Sequence, residues 1–108
     1  MTPDDLSPAQ APLLAWRWPV FAGELRWALR RHGRWSLARQ VDALRVVSSC
    51  GCGDGFCQSF HTVPEQPGPY GPGHRNLTLR APWRGYLVLD VIQDQIVFVE
   101  ILYRAPLT

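Results

Sequence analysis

The sequence contains no lysine: all 11 of its basic residues are arginine, and asparagine occurs once, at Asn76. Alanine, glycine, proline and arginine are frequent instead, a bias typical of GC-rich bacterial genomes. Genome composition is therefore the simpler explanation of each arginine, and an arginine alone does not indicate a binding site. The formal net charge of +2 is also too small to indicate a nucleic-acid-binding protein.

Long apolar runs are absent as well. No run approaches the roughly 18 apolar residues of a membrane span. The start, MTPDDLSPAQAP, is acidic and proline-rich and lacks the basic and apolar regions of a secretory signal. We therefore expect a cytoplasmic protein without a membrane partner. Thiols stay reduced in that compartment, so clustered cysteines indicate metal binding or reactivity more often than structural disulfides.

Known catalytic motifs are missing. There is no nucleophile elbow, P-loop, zinc-protease helix or dinucleotide fingerprint, so the sequence predicts no catalytic residue. Asp90 and Glu100 would share one face of a late hairpin that turns at Asp94. Two such carboxylates can act as an acid/base pair, but the favoured interpretation is that they mark the solvated edge of a sheet or pair with Arg80 or Arg104.

The length and composition fit one folded domain. The chain has 108 residues, of which 46% are apolar and 19% charged, enough for one hydrophobic core. Pro3, Pro8 and Pro12 interrupt any early helix. We expect a loose N-terminal arm over residues 1–14 and a single domain over residues 15–108.

Two helices are predicted near the N-terminus. The first runs from Pro19 to Arg31, because proline suits the first helical turn and apolar residues recur at helical spacing. Its stripe consists of Phe21, Leu25, Ala28, Leu29 and His32. The second helix runs from Ser36, as its N-cap, to Leu44, with Leu37 and Val41 on its apolar face. Gly33 either separates the two helices or kinks one.

The rest of the chain is predicted to form strands. β-Branched and aromatic residues dominate the last two of them, which surround the turn QDQ. The predicted strands are residues 45–50, 60–63, 77–82, 85–92 and 95–102. Residues 64–74 are mostly proline and glycine and form an irregular loop. We therefore predict an α+β fold in which the N-terminal helices pack on a four- to five-stranded antiparallel meander sheet.

The stretch SSCGCGDGFCQSFH, residues 48–61, holds three cysteines and a histidine. If it forms a hairpin around the loop GDGF, side chains alternate between the two faces of the ribbon. The hairpin register then pairs Cys52 with Cys57, Cys50 with Ser59, and Ser48 with His61, all on one face.

A zinc site is one interpretation of this stretch, with Cys50, Cys52, Cys57 and His61 as ligands. On a straight strand His61 lies roughly 13 Å from Cys57, too far for a shared ion. The four-ligand hypothesis therefore requires a helical turn after Gly55. Structural zinc sites also usually combine two ligand pairs from separated segments, which this pattern lacks.

Two other interpretations remain open. A redox couple of Cys52 and Cys57 requires a thiolate of lowered pKa, but no basic residue that would lower it lies nearby in sequence. Alternatively the glycines form a tight turn that carries buried thiols without any cofactor. The glycine turn is the favoured interpretation, with zinc as the alternative and redox chemistry as the second alternative.

The order of these segments resembles a group of small uncharacterised proteins of GC-rich bacteria. The resemblance rests on QVDALRVVSSCGCGDGFC, a Gly/Pro loop, and then GYLVLDVIQDQIVFVEILYR, and it covers roughly residues 37–104. In that group a strand runs into a C-x-C-G turn and a late hairpin ends in an Ile-Glu-Ile-like segment. The resemblance implies a small antiparallel sheet with a helix packed near it, and it implies no activity.

Tryptophans surround the first helix. Trp27 lies off the apolar stripe and beside Arg30 and Arg31. These residues either widen the apolar core face or form a surface for a protein partner. The second interpretation is based on the enrichment of Trp and Arg in binding hot spots. With no catalytic motif in the chain, we expect a non-enzymatic accessory or immunity-like protein that acts through a protein partner.

Overall fold

Three helices precede a five-stranded antiparallel sheet, which confirms the predicted α+β class. The computed structural model describes residues 8–108. The helices are α1 (Leu14–Arg17), α2 (Pro19–Arg31) and α3 (Trp35–Gln40), with 3₁₀ turns at Pro8–Gln10 and Val41–Ala43. The strands are β1 (Ser48–Ser49), β2 (Phe60–His61), β3 (His74–Leu79), β4 (Tyr86–Ile92) and β5 (Gln95–Leu102). Among the described residues, no helix is long and apolar enough to cross a membrane.

Helix α2 has the predicted boundaries and the predicted buried face. Pro19 occupies its first turn, where the missing N–H costs no hydrogen bond. The apolar members of the stripe are buried, but His32 is exposed. Its Nε2 atom accepts a hydrogen bond of 2.8 Å from the backbone N–H of Arg80, which ties the end of α2 to the end of β3.

Gly33 separates two helices. Its φ of +70° is left-handed, a conformation in which glycine carries no steric penalty. The backbone N–H of Arg34 then returns to the carbonyl of Leu29 at 2.8 Å. Arg34 is the N-cap residue of α3 and no side chain caps this helix, so the prediction of Ser36 as the cap was wrong.

Leu13 and Leu14, at the end of the loose arm predicted over residues 1–14, contact later parts of the chain. Residues 1–7 of that arm lie outside the described residues. Leu14 is fully buried, and its backbone N–H donates to the carbonyl of Leu44 at 2.8 Å. Leu13 forms an isolated β-bridge with Arg45.

The strand order is β1-β2-β5-β4-β3, so the sheet departs from the predicted meander at one connection, between β2 and β3. β1 pairs with β2, and β3, β4 and β5 follow one another in space, but β2 pairs with β5. The reason is burial: β5 carries buried Val97, Val99 and Ile101 and gains most from a central position. The more polar strand β3 lies at the edge.

The two faces of the sheet differ in their cover. Core residues of β4 and β5, such as Leu89 and Val99, share a hydrophobic cluster with Phe21 and Leu25 of α2. The opposite face carries Val88, Asp90, Phe98, Glu100 and Leu102, all half-buried. Asp90 pairs with Phe98 and Val88 with Glu100, as the predicted hairpin register requires. We call this second face the outer face.

Gly85 generates the first prediction. A Cβ atom added there would overlap the carbonyl oxygen of Leu102 and lie 2.8 Å from Trp83 Nε1. Because backbone atoms cannot move aside cheaply, Gly85→Ala should lower the free energy of unfolding by about 3 kcal/mol. Gly23→Ala is the matched control: it meets nothing within 4 Å inside α2 and should stabilise the protein by about 0.5–1 kcal/mol. Urea denaturation measures the stability change of both variants. An unchanged unfolding midpoint for Gly85→Ala would contradict the close contact between Gly85 and the carbonyl of Leu102.

Candidate metal centre

Two glycines fold the Cys-Gly-Cys segment back on itself. Gly51 and Gly53 have φ angles of +74° and +75°, left-handed values that a side chain disfavours. On an extended strand, residues two apart are roughly 6.6 Å apart. The bent backbone instead brings the Sγ atoms of Cys50 and Cys52 to 2.9 Å.

Cys57, the third cysteine, is positioned by a tight turn and by pairing with strand β5. The backbone N–H of Cys57 donates to the carbonyl of Asp54 at 3.1 Å, which closes the predicted Asp-Gly turn. Cys57 also forms a β-bridge with Leu102 at the end of β5. Its Sγ atom lies 3.2 Å from that of Cys50, and the Sγ atoms of all three cysteines lie within 4.8 Å of one another.

The predicted hairpin register is confirmed near its base. Ser48 pairs with His61, and the backbone N–H of Cys50 donates to the carbonyl of Ser59 at 3.0 Å. Ladder pairing as strands is limited to the two residues of each of β1 and β2. Beyond them the glycines bend the ribbon, and this bend is what gathers the sulfurs.

His61 is not part of the cysteine cluster. The helical turn that the four-ligand hypothesis required is absent from residues 55–61, where the chain runs through a turn into β2. The His61 ring packs on Phe98 with centroids 4.5 Å apart, and its Nε2 atom lies 3.8 Å from a carboxylate oxygen of Glu65. The structure therefore brings together three of the four predicted ligands.

The other histidines are also engaged elsewhere. His32 accepts the hydrogen bond from Arg80, and His74 Nε2 lies 2.7 Å from Asp90 Oδ1. Asp90 thus pairs with His74, whereas Arg104, one of the arginines considered for it, pairs with Glu24.

The thiols differ in their electrostatic environments. Burial raises the pKa of the Cys57 thiol, but hydrogen bonds from the Ser59 hydroxyl, the Ser59 backbone and the other two thiols outweigh it, so the net pKa is lowered. Burial raises the pKa of the Cys50 thiol to about 12, and its hydrogen bond with Cys52 adds to this effect. Cys57 is the first of the two to ionise, and it does so beside a thiol that stays protonated.

Ser59 was missed as a site residue because its role depends on β5. It is 2% exposed. Its hydroxyl accepts the backbone N–H of Ile101 at 2.9 Å and lies 3.3 Å from Cys57 Sγ. A hydroxyl that accepts one bond keeps its own proton to donate, and that proton can stabilise an ionised Cys57. Only the spacing of two residues from Cys57 could have indicated it.

The cluster opens toward the outer face of the sheet. Cys52 is exposed, whereas Cys50 and Cys57 are half-buried. A shallow depression of about 280 Å³ adjoins the three sulfurs and is lined by Phe56, Phe98, Glu100 and Leu102. The ring of Phe56 stacks on Tyr103 with centroids 4.9 Å apart, which holds the loop against the end of β5. Aromatic and aliphatic walls therefore border the thiols on one side.

The geometry suits a thiolate-bound metal ion. Two sulfurs bound to one tetrahedral zinc at about 2.3 Å are about 3.8 Å apart. The observed separations of 2.9 and 3.2 Å require the sulfurs to move apart by less than about 1 Å. Three cysteines that converge in this way can hold a soft metal ion.

The tryptophan and arginine residues of α2 lie on a separate surface. Trp27 is 44% exposed, and the guanidinium of Arg31 lies 5.3 Å from the centroid of its ring. Arg30 is exposed beside them. This arrangement leaves the Trp27 ring at the surface, away from the hydrophobic core.

In comparisons with known proteins, no protein-family model matches the chain, and no curated protein or solved structure matches it significantly.

Ser59 provides the second prediction. Ser59→Ala removes the hydroxyl beside Cys57 and should raise the Cys57 pKa, so alkylation of Cys57 by iodoacetamide should slow at neutral pH. Thr62→Val is the control, because Thr62 donates a buried hydrogen bond of 2.7 Å to the carbonyl of Ile96 and contacts no cysteine. Both variants lose a buried hydrogen bond, but only Ser59→Ala should change Cys57 reactivity, measured by mass spectrometry. Equal rates in both variants would contradict the role of Ser59.

Proposed function

We propose that this protein binds one soft metal ion, zinc or Cu(I), through the thiolates of Cys50, Cys52 and Cys57 in the cytoplasm. The observation that carries the proposal is the convergence of the three Sγ atoms within 4.8 Å. Thiolates select soft ions, and the cytoplasm keeps the thiols reduced. The proposal replaces the four-ligand set with a three-cysteine set.

The donor number supports reversible binding in preference to a structural role. Structural zinc sites are closed by four protein ligands. The cluster of metal-binding donors among residues 8–108 contains three, so a bound zinc would take its fourth ligand from solvent or from another molecule. A Cu(I) ion would be satisfied by three thiolates. In either case the ion stays accessible beside exposed Cys52.

The composition of the hydrophobic core indicates that the fold does not depend on the cysteine site. The core cluster is formed by α1, α2, α3 and the sheet and contains no cysteine. Metal loss should therefore leave the fold intact, in contrast to small zinc domains that unfold without their ion. This property suits a protein that takes up and releases a metal ion.

Direct metal titration tests the proposal. The reduced protein should bind one Co²⁺, a spectroscopic substitute for zinc, with sulfur-to-metal absorption bands, and one Cu(I) in competition with a chromophoric chelator. Cys50→Ser, Cys52→Ser and Cys57→Ser should each weaken binding by more than about 100-fold, because a lost ligand costs more than a lost outer-shell partner. Circular dichroism should show all three variants folded.

His61→Gln is the matched control for this titration. The three-thiolate site predicts unchanged metal affinity in this variant, whereas a four-ligand site predicts a loss as large as that of a cysteine variant. Absence of sulfur-to-metal bands in the wild-type protein would overturn the proposal. Binding that survives every cysteine substitution would overturn it as well.

The unequal thiol pKa values predict how affinity depends on pH. Cys57, whose pKa is lowered, loses its proton before Cys50, whose pKa is raised to about 12 in the metal-free protein. Metal binding must then release the proton of Cys50, so affinity should rise with pH. Below the Cys57 pKa the proton of Cys57 must be released as well, so the rise should be steeper. Calorimetry in buffers of different ionisation enthalpy counts the released protons, and a pH-independent affinity would contradict this mechanism.

A thiol redox function is the second candidate, favoured by the lowered pKa of Cys57 and the 3.2 Å separation from Cys50. The pair differs from the predicted Cys52–Cys57 couple. Its weakness is Cys50, whose raised pKa makes it a poor second nucleophile in disulfide exchange. The raised pKa of Cys50 is a smaller obstacle to metal binding, because coordination to a metal ion deprotonates a thiol directly. A free-thiol count after equilibration with oxidised glutathione separates the two functions.

A further inference from the structure

Strand β3 leaves one side of the sheet open. The two outermost strands of the described sheet are β1 and β3. β1 has two residues, whereas β3 has six and pairs only with β4. In an antiparallel ladder every second residue of an outermost strand turns its N–H and C=O away from the sheet. Residues 74–79 therefore present backbone donors and acceptors to an incoming strand, apart from the N–H of His74, which donates to the carbonyl of Gly71 at 3.4 Å.

Positive charge surrounds this open strand. Arg75 lies within it, and its guanidinium is 3.5 Å from Asp94 with both side chains largely exposed. Arg80 follows the strand, and Arg34 begins α3 next to it. Neither Arg34 nor Arg80 has an ion-pair partner among residues 8–108. Their charges are available to an acidic ligand.

A small groove runs between β3 and α3. It has a volume of about 50 Å³ and is lined by Arg34, Leu37, Arg75, Asn76, Leu77 and Val91. This volume holds about three or four water-sized groups, comparable to one small aliphatic side chain. Leu37, Leu77 and Val91 supply an apolar floor, and the two arginines flank the groove.

We propose that the open edge of β3 binds an extended, acidic segment of a partner protein by strand addition. Backbone pairing with residues 74–79 supplies the hydrogen bonds, and Arg34 and Arg75 pair with acidic side chains of the segment. A small aliphatic side chain of the segment enters the groove. This surface is distinct from the cysteine cluster.

The charge pattern disfavours a second copy of this chain as the occupant. Two copies paired through β3 would bring together two sets of Arg34, Arg75 and Arg80, and like charges across an interface cost affinity. The same charges favour an acidic strand. The end of α2 is joined to the end of β3 by the hydrogen bond between His32 and Arg80.

A designed peptide tests the proposal on the full chain. The probe is a fluorescein-labelled peptide in which glutamate alternates with valine and threonine. It should bind at low ionic strength and shift the backbone amide resonances of residues 74–79 more than those of β1. Arg34→Glu and Arg75→Glu should each weaken binding by about tenfold, while Arg39→Glu, on α3 outside the groove, should not.

Two further probes separate strand addition from charge attraction alone. The same peptide with alternate backbone nitrogens methylated keeps its charge but loses half of its donors, and it should bind at least about tenfold more weakly. Equal binding of the methylated peptide, or displacement of the peptide by oligothymidylate of the same charge, would overturn the proposal. Absence of binding by the unmodified peptide, or binding unaffected by Arg34→Glu and Arg75→Glu, would overturn it too.

Discussion

The antiparallel contact between residues 57–61 and β5 is the interaction on which the rest of the structure depends. It makes β5 the central strand, since β4 occupies its other side. It buries Ser59 against the backbone of Ile101 and fixes Cys57 beside Leu102. Without it, the cysteine turn would be a free loop and its sulfurs would have no fixed meeting point.

The same contact produces the unequal thiols. The Cys57 thiol donates to the Ser59 hydroxyl, which also accepts the N–H of Ile101 and keeps its own proton to donate to an ionised Cys57. Cys50 lies between the other two sulfurs and retains its proton. A thiol of lowered pKa beside one of raised pKa can attack a disulfide, and it can also hold a cation that displaces the remaining proton. Sheet topology thus brings together the three thiols on which both chemistries depend.

Local patterns predicted the elements well, and long-range pairing explains what they missed. Helix α2 and strand β5 have the predicted boundaries because apolar periodicity is a local signal. The partner of β2 was not predictable in this way, since the choice between β3 and β5 depends on which strand is more completely buried. The role of Ser59 was not predicted for the same reason, because it depends on the long-range contact with Ile101 of β5. The spacing of the cysteines alone indicated that they could converge. Whether His61 joins them depends on the backbone after Gly55, which the sequence allowed to be either an extended hairpin strand or a helical turn.

The unequal lengths of the outermost strands limit how the sheet can grow. β1 offers two residues for pairing and β3 offers six, so further strands can join on one side only. An assembly built by such additions ends after a single step, because the joined chain has no equivalent second side from which to continue. A sheet built in this way can accept one added strand without becoming the seed of a fibre.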